Sequence, residues 1–175
     1  MGTLMESWPR RHRITVDEYH RMAEVGVLAP DARVELIEGE IIDMAPIGRA
    51  HTSVVDQLNR LLVRAVGDEA IVRVQGSVRL SQMSEPEPDV VLLKPRADFY
   101  RHRFALGADT LLVIEVSDST LRYDRDVKVP LYARHGVPEV WIVDLTGDQL
   151  LGFGSPSAGG CARRTTLTRP SMRDV

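Results

Sequence analysis

The chain has 175 residues, of which 43% are hydrophobic, and this suits one globular domain with a sizeable core. Its 22 basic and 25 acidic side chains are interspersed and give a net charge of -3, so the chain lacks the overall basic character of many DNA-binding domains. The single cysteine, Cys161, excludes an internal disulfide and a cysteine-based zinc site, and it favours a reducing compartment such as the cytoplasm.

The sequence contains no candidate membrane segment. No apolar run approaches the roughly 18 residues of a membrane-spanning helix. The polar segment 1–13 lacks the apolar stretch of a signal peptide, and we interpret it as an N-terminal extension. We therefore expect a soluble protein that is not exported.

A short helix is predicted at the start of the folded part. Thr15 can cap this helix, with Glu18 at the capping-box position three residues later. The helix should end near Gly26.

A hairpin and a longer helix follow. The apolar runs 34–37 and 40–42 flank the pair Glu38-Gly39, which resembles the Asp-Gly turn of a two-residue hairpin. From 51 to 66, apolar residues recur at helical spacing, and Gly67 marks the end of that helix. The pattern thus predicts two antiparallel strands and then an amphipathic helix.

The middle of the chain is predicted to form strands. Segments 71–74 and 77–80 indicate one strand, or a bent pair interrupted by Gly76. Segments 89–93 and 111–116 are short, nearly continuous apolar runs, which is the pattern of central strands buried on both faces. We expect these last two strands to be neighbours.

The C-terminal part predicts one helix and further strands. Segment 123–135 is helical in pattern, and 139–145 is a strand rich in Val, Ile and Trp. Segment 150–153 can add an edge strand, and 164–167 can add one more. The expected fold class is therefore α/β or α+β, a central mixed sheet flanked by helices with an N-terminal helix and hairpin.

Two acids and a lysine stand out within these elements. Asp89 follows Pro88 at the start of a buried strand, Glu115 lies inside the next one, and Lys128 lies on the predicted helix. Cleavage of a phosphodiester needs a hard divalent cation, for which carboxylates supply ligands, and a nearby lysine can stabilise negative charge. This set suggests a metal-dependent nuclease.

Structural explanations exist for the same residues. Asp89 can bond local amides, and Glu115 can pair with a basic side chain, although burial of an unpaired carboxylate is costly. Lys128 lies four residues after Asp124, the spacing of an ordinary helical ion pair. Glu35 can be a solvent-facing strand residue.

Three further features are given structural interpretations. His51 heads a helix where a polar cap is expected, with a direct catalytic part as the alternative. The mixed charges over 122–126 predict a solvated face. Trp141, among apolar neighbours, is expected in the core.

Several short motifs occur together in one order. They are Glu35-Leu36-Ile37-Glu38-Gly39-Glu40, His51, Glu87-Pro88-Asp89-Val90, Ile114-Glu115-Val116-Ser117, Ser119-Thr120, Asp124, Lys128, Tyr132 and Val140-Trp141-Ile142-Val143-Asp144. Over roughly 14–153 this set resembles the Uma-two family, described as restriction endonuclease-like domains of the PD-(D/E)XK nuclease superfamily. Each motif alone is weak, whereas the ordered set is fairly specific.

The resemblance implies roles for individual residues. Asp89 and Glu115 match the metal-binding acids of the family. The wider superfamily has a lysine two residues after the second acid, but Ser117 stands there, and Lys128 is implied as the substitute. Glu35 matches a family position before the hairpin glycine and could be a further acid at the site.

We therefore expect an endonuclease-like domain over 14–153, followed by a loop and C-terminal tail over 154–175. The expected function is a Mg²⁺- or Mn²⁺-dependent endonuclease acting on DNA, and a homodimer is a reasonable expectation because nucleases that cut both strands commonly need two sites. One alternative is a catalytically drifted module that binds nucleic acid or protein. Another is a toxin-like or mobile-element protein whose partner supplies specificity. The sequence leaves open the target, its strandedness, and the choice between DNA and RNA.

Overall fold

The structure is a computed structural model that describes residues 11–154 and the backbone of the strand at 163–168. The α-helices in this part are α1 (Val16–Glu24), α2 (Arg49–Val66), α3 (Leu121–Tyr123) and α4 (Val129–Arg134). The strands are β1 (Val34–Ile37), β2 (Glu40–Asp43), β3 (Ile71–Val74), β4 (Val90–Leu93), β5 (Thr110–Ser117), β6 (Glu139–Asp144), β7 (Gln149–Gly154) and β8 (Arg163–Thr168).

The N-terminal helix begins as its sequence predicts. The Thr15 backbone N–H donates to Glu18 Oε2 at 2.7 Å, and the Glu18 N–H donates to Thr15 Oγ1 at 3.2 Å, which completes the capping box. Val16, the first residue of α1, is fully buried. The capping prediction is confirmed.

Strands β1 and β2 form a small antiparallel sheet with a two-residue turn. Both turn residues have a positive φ, 49° at Glu38 and 80° at Gly39, as a type I′ hairpin requires. Leu36 also pairs with Glu85, and this bridge fastens the hairpin to the segment that leads into β4.

A six-stranded mixed sheet forms the centre of the fold, in the order β3-β4-β5-β6-β7-β8. Strands β5 and β6 are parallel, and the other neighbouring pairs are antiparallel. The predicted neighbours β4 and β5 do pair, with Val90 opposite Ile114. The expected fold class, a central mixed sheet flanked by helices, is confirmed.

Each face of this sheet carries its own core. Helix α2 covers one face through Val55, which packs with Ile114 and Val116. Helix α4 covers the other face through Tyr132, which packs with Val113. Side chains therefore alternate along β5 as expected, so that Glu115 and Ser117 share the α4 face.

Two predicted strands need correction. Segment 77–80 does not continue β3, because Gln75 has a φ of 46° and the Val78 N–H donates to the Pro86 carbonyl instead of to a strand. Strand β7 is not an edge strand, since β8 pairs with it on the outer side.

The predicted helix over 123–135 also differs from a regular α-helix. A π-helical segment, Asp124–Lys128, joins α3 to α4. Pro130 lacks the N–H that an α-helix would direct to the Asp126 carbonyl, and its ring crowds that carbonyl, so a wider turn relieves the conflict.

Two smaller observations complete the fold. Trp141 is partly buried against the α2 face, in agreement with its expected place in the core. Within the described residues, none of the helices combines the length and apolar character that crossing a membrane would require.

Candidate active site

Four residues singled out from the sequence lie together in one pocket of about 370 Å³. They are Glu35, Asp89, Glu115 and Lys128. Lys128 Nζ lies 2.9 Å from Glu115 Oε1 and 3.1 Å from Glu35 Oε2. Residues from three separate parts of the chain are thus joined by direct contacts.

The sheet register explains why the two candidate metal ligands meet. Val90 lies opposite Ile114 in the antiparallel pair of β4 and β5, so Asp89, the residue before β4, comes beside the end of β5 that carries Glu115. Glu35 is brought in by β1, and its Oε2 also accepts the backbone N–H of Glu87 at 3.1 Å.

Asp89 is held through both of its carboxylate oxygens. The backbone N–H of Val116 donates to Oδ2 at 2.8 Å, and His51 Nε2 lies 3.0 Å from Oδ1. The sequence predicted His51 to be a helix cap, and this prediction is wrong, because α2 begins two residues earlier with Gly48 as its N-cap. Its side chain instead fixes the orientation of Asp89.

Glu115 and Lys128 form a buried pair. Glu115 is 3% exposed and Lys128 is 4% exposed, and Tyr132 donates a hydrogen bond of 2.7 Å to Glu115 Oε1. Burial raises the pKa of Glu115 to about 8, against the lowering effect of the Lys128 charge, and Asp124, Asp89 and Glu35 add to the rise.

The pKa of Lys128 is also raised, but for a different reason. Burial alone would lower the pKa of Lys128, but the nearby charges of Glu115, Glu35 and Asp124 outweigh burial and raise it above the usual value. A pKa above the usual value of 10.5 keeps Lys128 positively charged at neutral pH.

Asp124 belongs to the site and not to a solvated face. It is 5% exposed, and its Oδ2 accepts hydrogen bonds from Ser117 Oγ at 2.7 Å and from Thr120 Oγ1 at 2.6 Å. Arg122 and Asp126 of the same charge run are exposed, as expected. Asp124 thereby ties the end of β5 to the start of the helical segment that carries Lys128.

The rest of the pocket is rich in acids. Asp43, Glu87 and Asp118 line it together with the acids already named, and Arg33 adds one more positive charge. Burial raises the pKa of Glu87, opposed by Arg33 and supported by Glu35. A pocket with this charge would attract cations.

The donor set suits a hard divalent cation. Asp89 and Glu115 present carboxylate oxygens to the same pocket. Within the described residues, no group of three or more His, Cys, Asp or Glu side chains is arranged to hold a metal ion. Mg²⁺ nevertheless commonly takes only one or two protein carboxylates and completes its shell with water and substrate phosphates. The residues present therefore fit such an ion.

The fold defines a mixed α/β protein, and a comparison with known families shows which family it belongs to. The sequence model of the Uma2 family, described as "Putative restriction endonuclease", matches residues 16–174. Because this match covers most of the chain, the chain belongs to that family. Family membership supports nuclease function in general, and it agrees with the expected resemblance.

A solved structure shows the same fold. It is described as a putative nuclease belonging to DUF820, from Anabaena variabilis, and it superposes with a TM-score of 0.68 at 15% sequence identity. The likeness covers 90% of this chain and 86% of that one. Among curated proteins, none matches the chain in sequence.

Sequence reasoning undervalued two residues of this pocket. His51 and Asp124 both belonged to the ordered set of motifs, but each also had an ordinary explanation as a cap or a helical ion pair. The signal that could have identified Asp124 was the pair of hydroxyl residues shortly before it in the sequence. Ser117 and Thr120 precede it by seven and four residues, and both donate to it.

Proposed function

We propose that the protein is a metal-dependent endonuclease that hydrolyses DNA phosphodiester bonds. The observation that carries this proposal is the convergence of Asp89, Glu115, Lys128 and Glu35 on one pocket in a member of a restriction endonuclease family. The family description supports nucleic acid as the substrate, and DNA is our choice within that class.

Asp89 and Glu115 are proposed to hold the cation. Asp89 suits this role because Val116 and His51 fix its carboxylate. A bound divalent cation would offset phosphate charge and lower the pKa of an attacking water. We propose Mg²⁺ or Mn²⁺, since hard oxygen donors favour both ions.

Lys128 is proposed to steady the phosphate or the nucleophile, with Glu35 assisting it. Glu35 contacts Lys128 Nζ but also accepts the Glu87 N–H, so it holds the ammonium at a fixed place beside Glu115. Glu35 is therefore a positioning residue in this proposal, acting through the lysine.

The cellular setting is part of the same proposal. We place the protein in the cytoplasm, in keeping with a DNA substrate and a single cysteine. We also propose a homodimer, because cleavage of both strands of a duplex calls for two active sites. Sedimentation of the purified protein at several concentrations tests this; a monomer throughout would contradict it.

The test of the function is DNA cleavage with and without divalent cations. Plasmid, linear duplex and single-stranded DNA, with RNA alongside, are incubated with the native chain, with Asp89→Asn and with Asp68→Asn. Asp68 is an exposed acid outside the pocket and serves as the matched control. We expect cation-dependent cleavage by the native and control chains.

Asp89→Asn should lower the cleavage rate by at least about 100-fold, since loss of an outer partner of a metal site already costs 10- to 100-fold. Cleavage that persists in a chelator, or that Asp89→Asn leaves intact, would overturn the metal-dependent mechanism. The absence of any DNA cleavage by the native chain would overturn the proposed substrate and reaction.

The second candidate function is a noncatalytic module that keeps the fold and binds nucleic acid or protein. One observation favours it: Lys128 already contacts both Glu35 and Glu115, so these acids have a cation partner within the chain itself. Cation-independent DNA binding without cleavage would support this candidate over the nuclease.

A further inference from the structure

Three buried side-chain atoms lack a hydrogen-bond partner in the part of the chain that the structure describes. They are His51 Nδ1, Glu85 Oε2 and Tyr123 Oη. His51 and Tyr123 both line the candidate active site, whereas Glu85 does not. Because a buried polar atom without a partner is costly, its presence in a pocket calls for a functional explanation.

Tyr123 is the more informative of the two pocket residues. It lies immediately before the π-helical segment that ends at Lys128, and both side chains line the same pocket. His51 has a clear use in holding Asp89 through its other ring nitrogen. The hydroxyl of Tyr123 has no such use within the described residues.

Tyr132 differs from Tyr123 because its hydroxyl has a hydrogen-bond partner. Tyr132, on the next helical segment, donates a hydrogen bond of 2.7 Å from its hydroxyl to Glu115 Oε1 and so has a structural partner. The charges of Glu35 and Asp124 help to raise the pKa of Tyr123, yet its hydroxyl donates to neither carboxylate. Its donor is left without a partner at the wall of the pocket.

The charge of the pocket explains why a neutral donor would be needed there. Acids dominate its lining, and Lys128 is already engaged by Glu35 and Glu115. Burial, with Glu35 adding to the effect, raises the pKa of Tyr123 to about 12, so the phenol keeps its proton and remains a donor at neutral pH.

We infer that Tyr123 binds substrate by donating a hydrogen bond from Oη to a non-bridging oxygen of the phosphodiester. This inference rests on the proposed function, and it adds a substrate-binding residue that was not among the candidates from the sequence. The hydroxyl oxygen is covered in the free protein, so a substrate oxygen that becomes its partner would have to displace the atoms that cover it.

The first test compares Tyr123→Phe with a matched control, Tyr100→Phe. Tyr100 lies outside the pocket, and its hydroxyl donates to the Lys94 carbonyl at 2.9 Å. Tyr100→Phe should melt at a lower temperature and cleave DNA like the native chain, because it loses a structural hydrogen bond. Tyr123→Phe should melt at the same or a higher temperature, since it removes a buried group without a partner.

In the cleavage assay, Tyr123→Phe should lower kcat/KM by about tenfold, the loss expected for one hydrogen bond to a charged group. A Tyr123→Phe chain that melts lower, as Tyr100→Phe does, and cleaves DNA at the native rate would overturn the inference. That result would assign the hydroxyl to the protein's own structure.

The second test needs no nuclease activity. Dimethyl phosphate, a minimal phosphodiester anion, is added with Mg²⁺ while the melting temperature is measured. Binding to the folded state should raise the melting temperature of the native chain and of Tyr100→Phe, but not that of Tyr123→Phe. An equal rise in Tyr123→Phe, or no rise in the native chain, would overturn the inference.

The two tests separate the inference from the proposed function. If the chain cleaves DNA, but dimethyl phosphate raises the melting temperature of Tyr123→Phe as much as that of the native chain, the inference alone is overturned. A shift that requires Tyr123 without DNA cleavage would support the phosphate contact while contradicting the proposed reaction. If the native chain shows neither DNA cleavage nor a shift in melting temperature, both the inference and the proposed function are overturned.

Discussion

At the scale of single residues, Lys128 joins two acidic side chains of the pocket, Glu35 and Glu115. Its side chain is 5% exposed, and its ammonium group contacts the carboxylates of Glu115 and Glu35, whose side chains are each 4% exposed. Such a group need not stabilise a protein more than apolar residues would, but removal of one partner leaves the others buried without compensation.

We therefore expect Lys128→Met to destabilise the protein by about 3–5 kcal/mol above about pH 8, where Glu115 is ionised, which is the range found when a buried ion pair loses one partner. The loss should shrink as the pH falls through about 8, because protonated Glu115 no longer needs a cation. Urea unfolding measures it, with Lys94→Met, at an exposed lysine, as the control. A loss as small as that of the control would show that Lys128 is not the partner these acids depend on.

Glu115 should make the stability of the cation-free protein depend on pH. Burial raises its pKa from 4.5 to about 8, so between these values the native state binds a proton that the unfolded chain has released. The stability linked to that proton is fully present below pH 4.5 and is lost as the pH rises through about 8, with a slope of up to about 1.4 kcal/mol per pH unit.

The variant Glu115→Gln has no proton to lose at this position. We expect its free energy of unfolding, relative to the native chain, to increase with pH between 4.5 and about 8. Urea unfolding in a chelator, at several pH values within that window, measures the difference. A difference that stays constant across the window, like that of the exposed control Glu69→Gln, would contradict the raised pKa.

At the scale of elements, the β1–β2 hairpin is what delivers Glu35 to the pocket. Its turn depends on Gly39, which has a φ of 80°. A Cβ atom there would lie 2.6 Å from Arg13 Cβ and 2.8 Å from Met83 Cε. The hairpin thus needs glycine both for its backbone conformation and for close packing.

Gly39→Ala should therefore destabilise the protein more than Gly26→Ala. Gly26 has a similar φ of 77°, but a Cβ there would meet nothing within 4 Å. Gly26→Ala isolates the backbone cost of about 1–2 kcal/mol, and Gly39→Ala should add about 1–3 kcal/mol for overpacking. Thermal or urea unfolding of both variants tests this; equal losses would mean that the neighbours of Gly39 move aside freely.

The helical segment after β5 shows how one element can position several site residues. Its π turn carries Asp124 at the start and Lys128 at the end, and both are buried. Ser117 and Thr120 anchor the start through Asp124, while Glu115 and Glu35 anchor the end through Lys128. The element is thereby fixed to the sheet at both ends of the turn.

At the scale of the whole molecule, the fold was predictable where its signals are local. The capping box of Thr15 and Glu18, the Glu38-Gly39 turn and the apolar runs of β4 and β5 each depend on a few neighbouring residues, and each is present in the structure. The convergence of Glu35 with Lys128 was proposed from a family resemblance, since spacing alone cannot bring together residues so far apart in the chain.

The remaining features depend on contacts that a linear pattern does not contain. Segment 77–80 alternates like a strand, yet Val78 and Leu80 donate their backbone N–H groups to Pro86 and Ser84. Asp124 has the spacing of an ordinary helical ion pair, and its burial follows from the hydroxyl of Ser117 on another element. The free hydroxyl of Tyr123 is likewise visible only once its surroundings are known.

The central claim is that Asp89 and Glu115 hold a divalent cation. The most direct measurement is calorimetric titration of Mn²⁺ and Mg²⁺ into the native chain, into the double variant Asp89→Ala with Glu115→Ala, and into the exposed control Asp68→Asn. We predict binding to the native and control chains, with none to the double variant. Equal binding by all three chains, or no binding by the native chain, would contradict the claim and leave a fold retained for another role.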